Sequence, residues 1–242
     1  MTVEQRDRPT AGASVTAKSP AKRRLVRTGR PPRELAGEVE ERILDAAEKV
    51  FLEHGLDGAS IDEIASLARA GKPTIYARFA GKEALFGAVV KRSIAAAQAH
   101  IESQAPIGAT IEDRLASIGS MILRWALGNG TVDLMRLAVA EARRFPELAS
   151  SVHQMARERG AEAVAQLLRE AAQSDPLVGA LPAFAPERLT ATTQFFQELV
   201  LLPLIMRALY GEKLSSLCGE IEPHVRRSVT FFLAACRHGG VE

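Results

Sequence analysis

One segment of the sequence, residues 60–86, constrains the fold more than any other part of the chain. Ser60 with Glu63 three positions later is the pattern of a capping box, which predicts the start of a helix. The apolar residues of that helix share one face and are Ile61, Ile64, Ala65 and Ala68. A second short helix is expected from Lys72, because Pro73 is tolerated in a first turn. Two such helices joined by a tight turn predict a helix-turn-helix, whose second helix lies in the major groove of DNA.

The residues after the turn follow a longer pattern, K-x-T-x-Y-x-x-F-x-x-K-E-x-L. The matching positions are Lys72, Thr74, Tyr76, Phe79, Lys82, Glu83 and Leu85. A preceding helix is expected over residues 39–54, with Gly55 in position for a left-handed C-cap. Over residues 38–88 these features resemble the DNA-binding domain of the TetR family of bacterial transcriptional regulators. Two positions differ from the family pattern, since Arg69 replaces the usual turn glycine and Gly71 replaces the usual N-cap serine.

Helical periodicity continues through the rest of the chain, and no segment has the alternating, β-branched pattern of a strand. The chain is therefore predicted to be all-α. Its 242 residues, 47% of them hydrophobic, suffice for a small domain and a larger one. With the resemblance, the expected division is a disordered basic arm at 1–33, a three-helix helix-turn-helix domain at 34–84 and a helical effector-binding and dimerisation bundle at 85–242. The later helices are expected at 82–103, 110–127, 131–144, 146–173, 187–210 and 219–237, with a loop at 174–186.

Positive charge is concentrated at the N-terminus. Residues 1–37 hold nine basic and three acidic side chains, whereas the whole chain has a formal net charge of only +2. The arm has almost no large apolar side chains, so it cannot offset the entropy of ordering and is predicted to be disordered. Arg30 lies in a Gly-Arg-Pro sequence, preceded by Arg27, that resembles an AT-hook, in which arginine enters a narrow minor groove. A solvated basic linker is the alternative interpretation.

The predicted recognition helix carries residues suited to contacts with DNA. The expected contact residues are Ser60, Lys72, Pro73, Thr74, Tyr76, Ala77, Arg78 and Lys82. The first turns of the helix supply a cation and two hydroxyl groups for phosphates, and Ser60 begins a helix whose N–H groups can bind another phosphate. Arg78 can donate two hydrogen bonds to a guanine edge, and Ala77 is small enough to touch a thymine methyl group. The resemblance implies a phosphate contact for Lys82, while packing in the small core is the alternative for Tyr76.

By the same resemblance, the C-terminal bundle is expected to hold a small hydrophobic effector. Adaptable methionine and flat aromatic side chains suit an apolar pocket with few polar anchors. The candidate residues are Met121, Trp125, Met135, Phe145, His153 and Phe195. Trp125 is the only tryptophan, so its fluorescence would report a bound ligand. Ordinary core packing is the alternative for each of these residues.

In the TetR family the last two long helices pair with their copies in a four-helix dimer interface. The corresponding helices here are apolar around much of their circumference, more than one packed face requires. The candidate interface residues are Phe196, Leu199, Leu202, Val229 and Phe232. A homodimer is therefore expected, and its two-fold axis matches a palindromic operator. Burial within one chain is the alternative, and it is compatible with a shared dimer core.

The sequence offers little for catalysis. Its five histidines have no metal-binding spacing, and no Gly-rich phosphate loop or nucleophile elbow occurs, so no enzyme activity, metal or cofactor is predicted. No N-terminal apolar segment resembles a signal peptide, and the run 199–206 is too short to span a bilayer. A cytoplasmic location without a membrane partner is expected. The prediction is a ligand-responsive repressor of double-stranded operator DNA. One alternative is a helical small-molecule-binding protein with a vestigial DNA-binding head, and the other is an all-α enzyme, which would need an acid–base or metal set that the sequence does not show.

Overall fold

The computed structural model describes residues 33–128 and 130–238, and within them the chain forms helices and turns without a strand. The helices are α1 (Arg33–Gly58), α2 (Ile61–Ala68), α3 (Lys72–Tyr76), α4 (Lys82–Glu102), α5 (Ile111–Ala126), α6 (Thr131–Glu141), α7 (Pro146–Ser174), α8 (Pro176–Gly179), α9 (Leu189–Leu209) and α10 (Leu214–Arg237). A 3-10 turn at Pro182–Phe184 precedes α9. The all-α prediction is confirmed for this part of the chain. Helix α1 begins at Arg33, one residue inside the predicted arm.

The N-terminal head consists of α1, α2 and α3 packed on the first half of α4. Its apolar cluster, the head core, includes Ile43, Ala47, Val50, Phe51, Leu56, Ile64, Ala68, Ile75, Phe79, Leu85, Phe86, Val89 and Val90. Phe51 of α1 and Phe86 of α4 pack edge to face, with ring centroids 5.7 Å apart. Burial of one such ring contributes about 1.5–3 kcal/mol, so the pair holds α4 on the head. The domain boundary at residue 84 stays a prediction, and the head core continues along α4 to Val90.

The larger body is a bundle in which α5, α7, α9 and α10 surround a second apolar cluster. Within it, Phe196 of α9 and Phe232 of α10 pack edge to face at 5.1 Å. Gly119 of α5 permits a close approach of α9 and α10, because a Cβ there would lie 3.1 Å from Val225 and 3.3 Å from Val200. Helix α4 contacts α5 and α7 as well as α1, so it joins the head to the body.

Two details of the body differ from the sequence prediction. Helix α10 begins at Leu214 rather than at residue 219. Leu217 and Ile221 are fully buried, and their packing outweighs the low helix propensity of Gly219 between them. The segment predicted as a loop at 174–186 contains α8 and the 3-10 turn. Asp175 caps α8, since its Oδ1 accepts a hydrogen bond from the backbone N–H of Leu177 at 2.9 Å.

Helix α9 is, in the described part of the chain, the one helix long and apolar enough to cross a membrane by length and composition. Its mean hydropathy over 18 residues is 1.3, and 39% of that window is buried inside the protein. Core helices of soluble proteins have the same properties, and α9 packs on α5, α7 and α10. Its composition is therefore accounted for by the bundle.

Candidate nucleic-acid interface

A bend near the end of α1 directs the chain into the helix-turn-helix. Gly55 has a φ of 69° and a ψ of 174°, a conformation open almost only to glycine. Its φ is positive as predicted, although its ψ is extended rather than left-handed. Ser60 then caps α2, since its Oγ accepts a hydrogen bond from the backbone N–H of Asp62 at 3.2 Å. The reciprocal half of the predicted capping box is not formed, because Glu63 Oε1 lies 3.4 Å from His54 Nε2 instead.

Lys82, the first residue of α4, holds the start of α2 in place. Its Nζ donates hydrogen bonds to the backbone oxygens of Asp57, at 2.9 Å, and of Ala59, at 3.0 Å. A lysine ammonium group has three donors, so one N–H is left for the phosphate contact that the resemblance implies. Lys82 therefore has a positioning role inside the head in addition to its predicted role.

The turn between α2 and α3 closes with arginine in place of glycine. Arg69 adopts the left-handed conformation, with φ 50° and ψ 43°. The backbone N–H of Ala70 donates to the oxygen of Ala65 at 3.0 Å, and that of Arg69 donates to the oxygen of Ser66 at 3.2 Å. This is the hydrogen-bond pattern of a Schellman cap, which costs a non-glycine residue about 1–2 kcal/mol. Gly71, the N-cap residue that precedes α3, has an extended conformation and supplies no side-chain cap.

Helix α3 presents most of its surface to solvent. Of its five residues, Ile75 alone is buried, in the head core. Tyr76 is 56% exposed, so its hydroxyl group is accessible rather than packed in the core. The other predicted contact residues of this helix and its C-cap are exposed or half-buried, and they are Lys72, Pro73, Thr74 and Ala77. Lys72 forms an ion pair with Asp62 of α2, so the first turns of the two helices lie side by side.

Arg78 is turned toward the head rather than outward. Its Nη1 donates a hydrogen bond to the backbone oxygen of Thr74 at 3.2 Å, and its Nε lies 3.8 Å from Glu40 Oε2 of α1. A contact with a guanine edge would require this side chain to change rotamer. Arg27 and Arg30, the proposed minor-groove residues, lie outside the described residues.

A cleft of about 610 Å³ lies between the end of α4, α5 and α10. Of the six predicted effector residues, Met121 and Trp125 line it. The other four lie elsewhere: Met135 is half-buried on α6, Phe145 packs against the head core, His153 is exposed on α7 and Phe195 is exposed on α9. His100 is not among the residues predicted from the sequence, and the centroid of its ring lies 5.1 Å from that of Trp125. The two residues are 25 positions apart, so helical periodicity within one element could not pair them.

The predicted dimer residues divide between the core and the surface. Phe196, Val229 and Phe232 are buried within the single chain, Leu199 is half-buried, and Leu202 is 44% exposed. Three other apolar residues of the same two helices are exposed, namely Phe195 at 50%, Met206 at 41% and Phe231 at 68%. The spacing 195, 199, 202 and 206 is that of one helical face, which was a usable signal in the sequence. We call these four residues of α9, with Phe231 of α10, the exposed apolar stripe.

The fold and the exposed α3 define a class of protein: an all-α protein with a helix-turn-helix head whose second helix is accessible to DNA. Residues 43–89 match the family model for bacterial regulatory proteins of the tetR family. Residues 113–237 match the C-terminal domain of AefR-like transcriptional repressors. The chain belongs to the TetR family of transcriptional regulators. In the described residues, no three His, Cys, Asp or Glu side chains are grouped so that they could hold a metal ion.

Relatives of known sequence or structure agree with this assignment. The HTH-type transcriptional repressor SCO4008 of Streptomyces coelicolor is 45% identical over 53 residues, which are 22% of this chain and 28% of that protein. A TetR-family regulator from Mesorhizobium loti MAFF303099 has 25% identity and a TM-score of 0.69, covering 83% of this chain and 97% of that one. The flavonoid-responsive regulator FrrA has 27% identity and a TM-score of 0.63, covering 82% and 97%.

Proposed function

We propose that the protein is a homodimeric repressor that binds a palindromic operator through two α3 helices and is released by a small-molecule effector. The observation that carries this proposal is the geometry of α3, which is held by Ile75 and presents Tyr76, Lys72 and their neighbours outward. A helix in this position fits the major groove, and two copies related by a two-fold axis read a palindrome. The repressor named SCO4008 is similar over part of its length, which supports repression rather than activation.

The first test selects bound sequences from a random duplex pool with the full-length protein at near-physiological salt. Enrichment of one palindrome is expected, because base contacts in the major groove discriminate sequence. Absence of enrichment by a folded dimer would instead favour the alternative, a small-molecule-binding protein with a vestigial head. Binding of the enriched duplex is then measured by fluorescence anisotropy.

The chain offers a matched control for the recognition helix, because its two tyrosines are Tyr76 and Tyr210, both exposed. Tyr76→Phe should weaken operator binding roughly fivefold, the effect of one lost hydrogen bond. Tyr210→Phe, at the end of α9 in the body, should leave it unchanged. Equal affinities of both variants and the parent would refute the docking of α3.

The basic arm is proposed to add phosphate or minor-groove contacts. Replacing Arg27 and Arg30 by glutamine should lower the salt dependence of operator binding, since each phosphate neutralised contributes about 0.9 to the slope of log K against log salt. An unchanged slope would assign the arm to the solvated-linker alternative. The measurement uses the same duplex at a series of salt concentrations.

The exposed apolar stripe is the proposed dimer interface. Several large apolar side chains exposed on one helical face are uncommon on a monomer and are buried in homodimer interfaces. Phe231→Glu should shift the protein from dimer to monomer in sedimentation velocity. Leu177→Glu is the matched control, because Leu177 is also apolar and 82% exposed but lies on α8, away from the stripe. Dissociation by the control, or a dimer unaffected by Phe231→Glu, would place the interface elsewhere.

Coupling between effector and operator is proposed to pass through α4. The cleft is lined by His100 and Gln104 near the end of this helix, and Lys82 at its start holds the head. Arg92, midway along α4, binds Asp45 and Glu48 of α1 at 2.6 Å each. A ligand that displaces the end of α4 would therefore move the head. Such a ligand changes operator affinity only as far as its own affinity differs between the DNA-binding and the released conformations. A cytoplasmic location follows from this proposed role.

A further inference from the structure

We propose that the cleft between α4, α5 and α10 binds an uncharged aromatic molecule that carries hydroxyl groups. This inference deepens the proposed function, and it rests on that function in one respect: the bound molecule is taken to be the effector. The volume of about 610 Å³ is within the range of small-molecule sites, and it accommodates a ligand of two or three rings. The cleft is more polar than the apolar pocket expected from the sequence.

The aromatic part of the ligand is indicated by the side of the cleft that α4 and α5 form. The rings of His100 and Trp125 lie 5.1 Å apart with an interplanar angle of 34°. Met121, one helical turn before Trp125, also lines the cleft. Flat rings and a polarizable thioether pack well against an aromatic ring.

The hydroxyl groups are indicated by polar atoms that the protein leaves unpaired. Ser120 is 5% exposed and lines the cleft, and its Oγ has no hydrogen-bond partner within the described chain. Trp125 Nε1 is likewise buried without a partner among the described residues. Buried polar atoms are nearly always paired, so these two require a group that a ligand or ordered water supplies. A serine hydroxyl both donates and accepts, whereas an indole N–H only donates, and a ligand hydroxyl can satisfy either.

The absence of ligand charge is inferred from the balance of charges around the cleft. Arg124 of α5 pairs with Glu222 of α10 at 2.7 Å. Arg226 lies 3.9 Å from Asp113, whose Oδ2 also accepts a hydrogen bond from Thr110 at 2.8 Å. Two guanidinium groups thus face two carboxylates, and an anionic ligand such as a fatty acid would meet as many like charges as opposite ones. A hydroxyl group, in contrast, can donate to the carboxylates and accept from the guanidinium groups.

Calorimetric titration of the full-length dimer with three probes tests this inference. The probes are naringenin, its unhydroxylated parent flavanone, and dodecanoate as the charged apolar alternative. Naringenin should bind at least roughly fivefold more tightly than either of the others, the effect of one hydrogen bond. Quenching of the fluorescence of Trp125, the only tryptophan, should follow the same affinity.

Two variants locate the binding site. Ser120→Ala should weaken naringenin binding roughly fivefold and leave flavanone binding unchanged, because it removes the hydroxyl that pairs with the ligand. Thr131→Val is the matched control, since Thr131 Oγ1 is also buried without a partner in the described chain but lies on α6, outside the cleft. The Thr131→Val variant should bind all three probes with the same affinities as the parent protein.

Several outcomes would overturn the inference. They are equal or tighter binding of flavanone or dodecanoate, an unchanged naringenin affinity in Ser120→Ala, and no binding of naringenin up to its solubility limit. Operator affinity is measured in the same samples with and without naringenin. Operator binding without naringenin binding would reject this ligand class and retain the regulator, whereas naringenin binding that leaves operator affinity unchanged would retain the site and reject effector release.

Discussion

Gly55 is the residue at which replacement by alanine should destabilise the protein through the backbone alone. Its φ of 69° and ψ of 174° are disallowed for a residue with a Cβ, and a side chain held there costs about 1–3 kcal/mol. Apart from the adjoining residues and the nearby backbone of α1, no described atom lies within 4 Å of the position that a Cβ would take, so a steric clash with other parts of the protein adds nothing. Alanine also restricts the unfolded chain, and this effect offsets about 0.4–1 kcal/mol of the loss in stability. Gly55→Ala should therefore lower the free energy of unfolding by about 1–2 kcal/mol.

A second glycine provides the matched control. Gly219 lies inside α10 and is exposed. Apart from the adjoining residues and the nearby backbone of α10, it likewise has no described atom within 4 Å of the place where a Cβ would lie. Because its conformation is helical, Gly219→Ala should raise the free energy of unfolding by about 0.5–1 kcal/mol. The same chemical change should thus have opposite signs at the two positions.

Urea unfolding followed by far-UV circular dichroism measures both variants. Both are measured at one protein concentration, because the proposed dimer would make stability depend on concentration. For a chain of this size, the loss in Gly55→Ala corresponds to a fall in Tm of about 2–8 °C. A neutral or stabilising Gly55→Ala would refute the backbone argument. Equal losses in both variants would mean that a cause common to the two replacements, rather than the conformation of Gly55, decides the effect.

Three further predictions concern interactions elsewhere in the chain. Arg92→Met should destabilise the head by about 1–2 kcal/mol in urea unfolding. The reason is that Arg92 joins three carboxylates of α1, at 3.3 Å from Glu41 and 2.6 Å from Asp45 and Glu48. A neutral result would mean that these ion pairs contribute nothing to stability. Hydrogen bonds from Arg207 lower the pKa of Glu212 and Glu220 below their ordinary value of 4.5, so their contribution to stability is present above that pH and is lost as the pH falls through the lowered values. Arg207→Gln should reduce this acid dependence of Tm, and superimposable pH profiles would contradict it. Burial raises the pKa of the Cys236 thiol to about 11, whereas Cys218 is exposed. A thiol reagent should therefore label one cysteine in the native chain and none in the Cys218→Ser variant. Labelling of the native Cys218→Ser variant would contradict the burial of Cys236.

Local patterns in the sequence predicted most of the helical elements. The N-cap at Ser60, the proline in the first turn of α3 and the start of α4 at Lys82 all agree with the structure. Each depends on residues within one or two helical turns of the boundary, which is the range over which capping acts. The start of α10 was misplaced because Gly219 is a local signal for a break, while the burial of Leu217 depends on the rest of the bundle.

The candidate ligand site was only partly accessible to such reasoning. Met121 and Trp125 were proposed from residue type, and both line the cleft. The contact of Trp125 with His100, and the approach of Arg226 to Asp113, join residues far apart in the chain. Pairs of this kind are created by the packing of α4, α5 and α10, so the polar character of the cleft could not be inferred from any one helix.

Two aromatic pairs separate what the sequence by itself determined from what tertiary structure decided. The sequence determined that α9 and α10 are helices with more apolar surface than one face requires, because periodicity and composition are local properties. It could not determine which member of each pair is buried, since Phe195 and Phe196, like Phe231 and Phe232, are chemically identical neighbours. The packing of the two helices buries Phe196 and Phe232 against each other and leaves Phe195 and Phe231 exposed. Adjacent residues on a helix point about 100° apart, so only the rotation of each helix against its neighbours selects the core face.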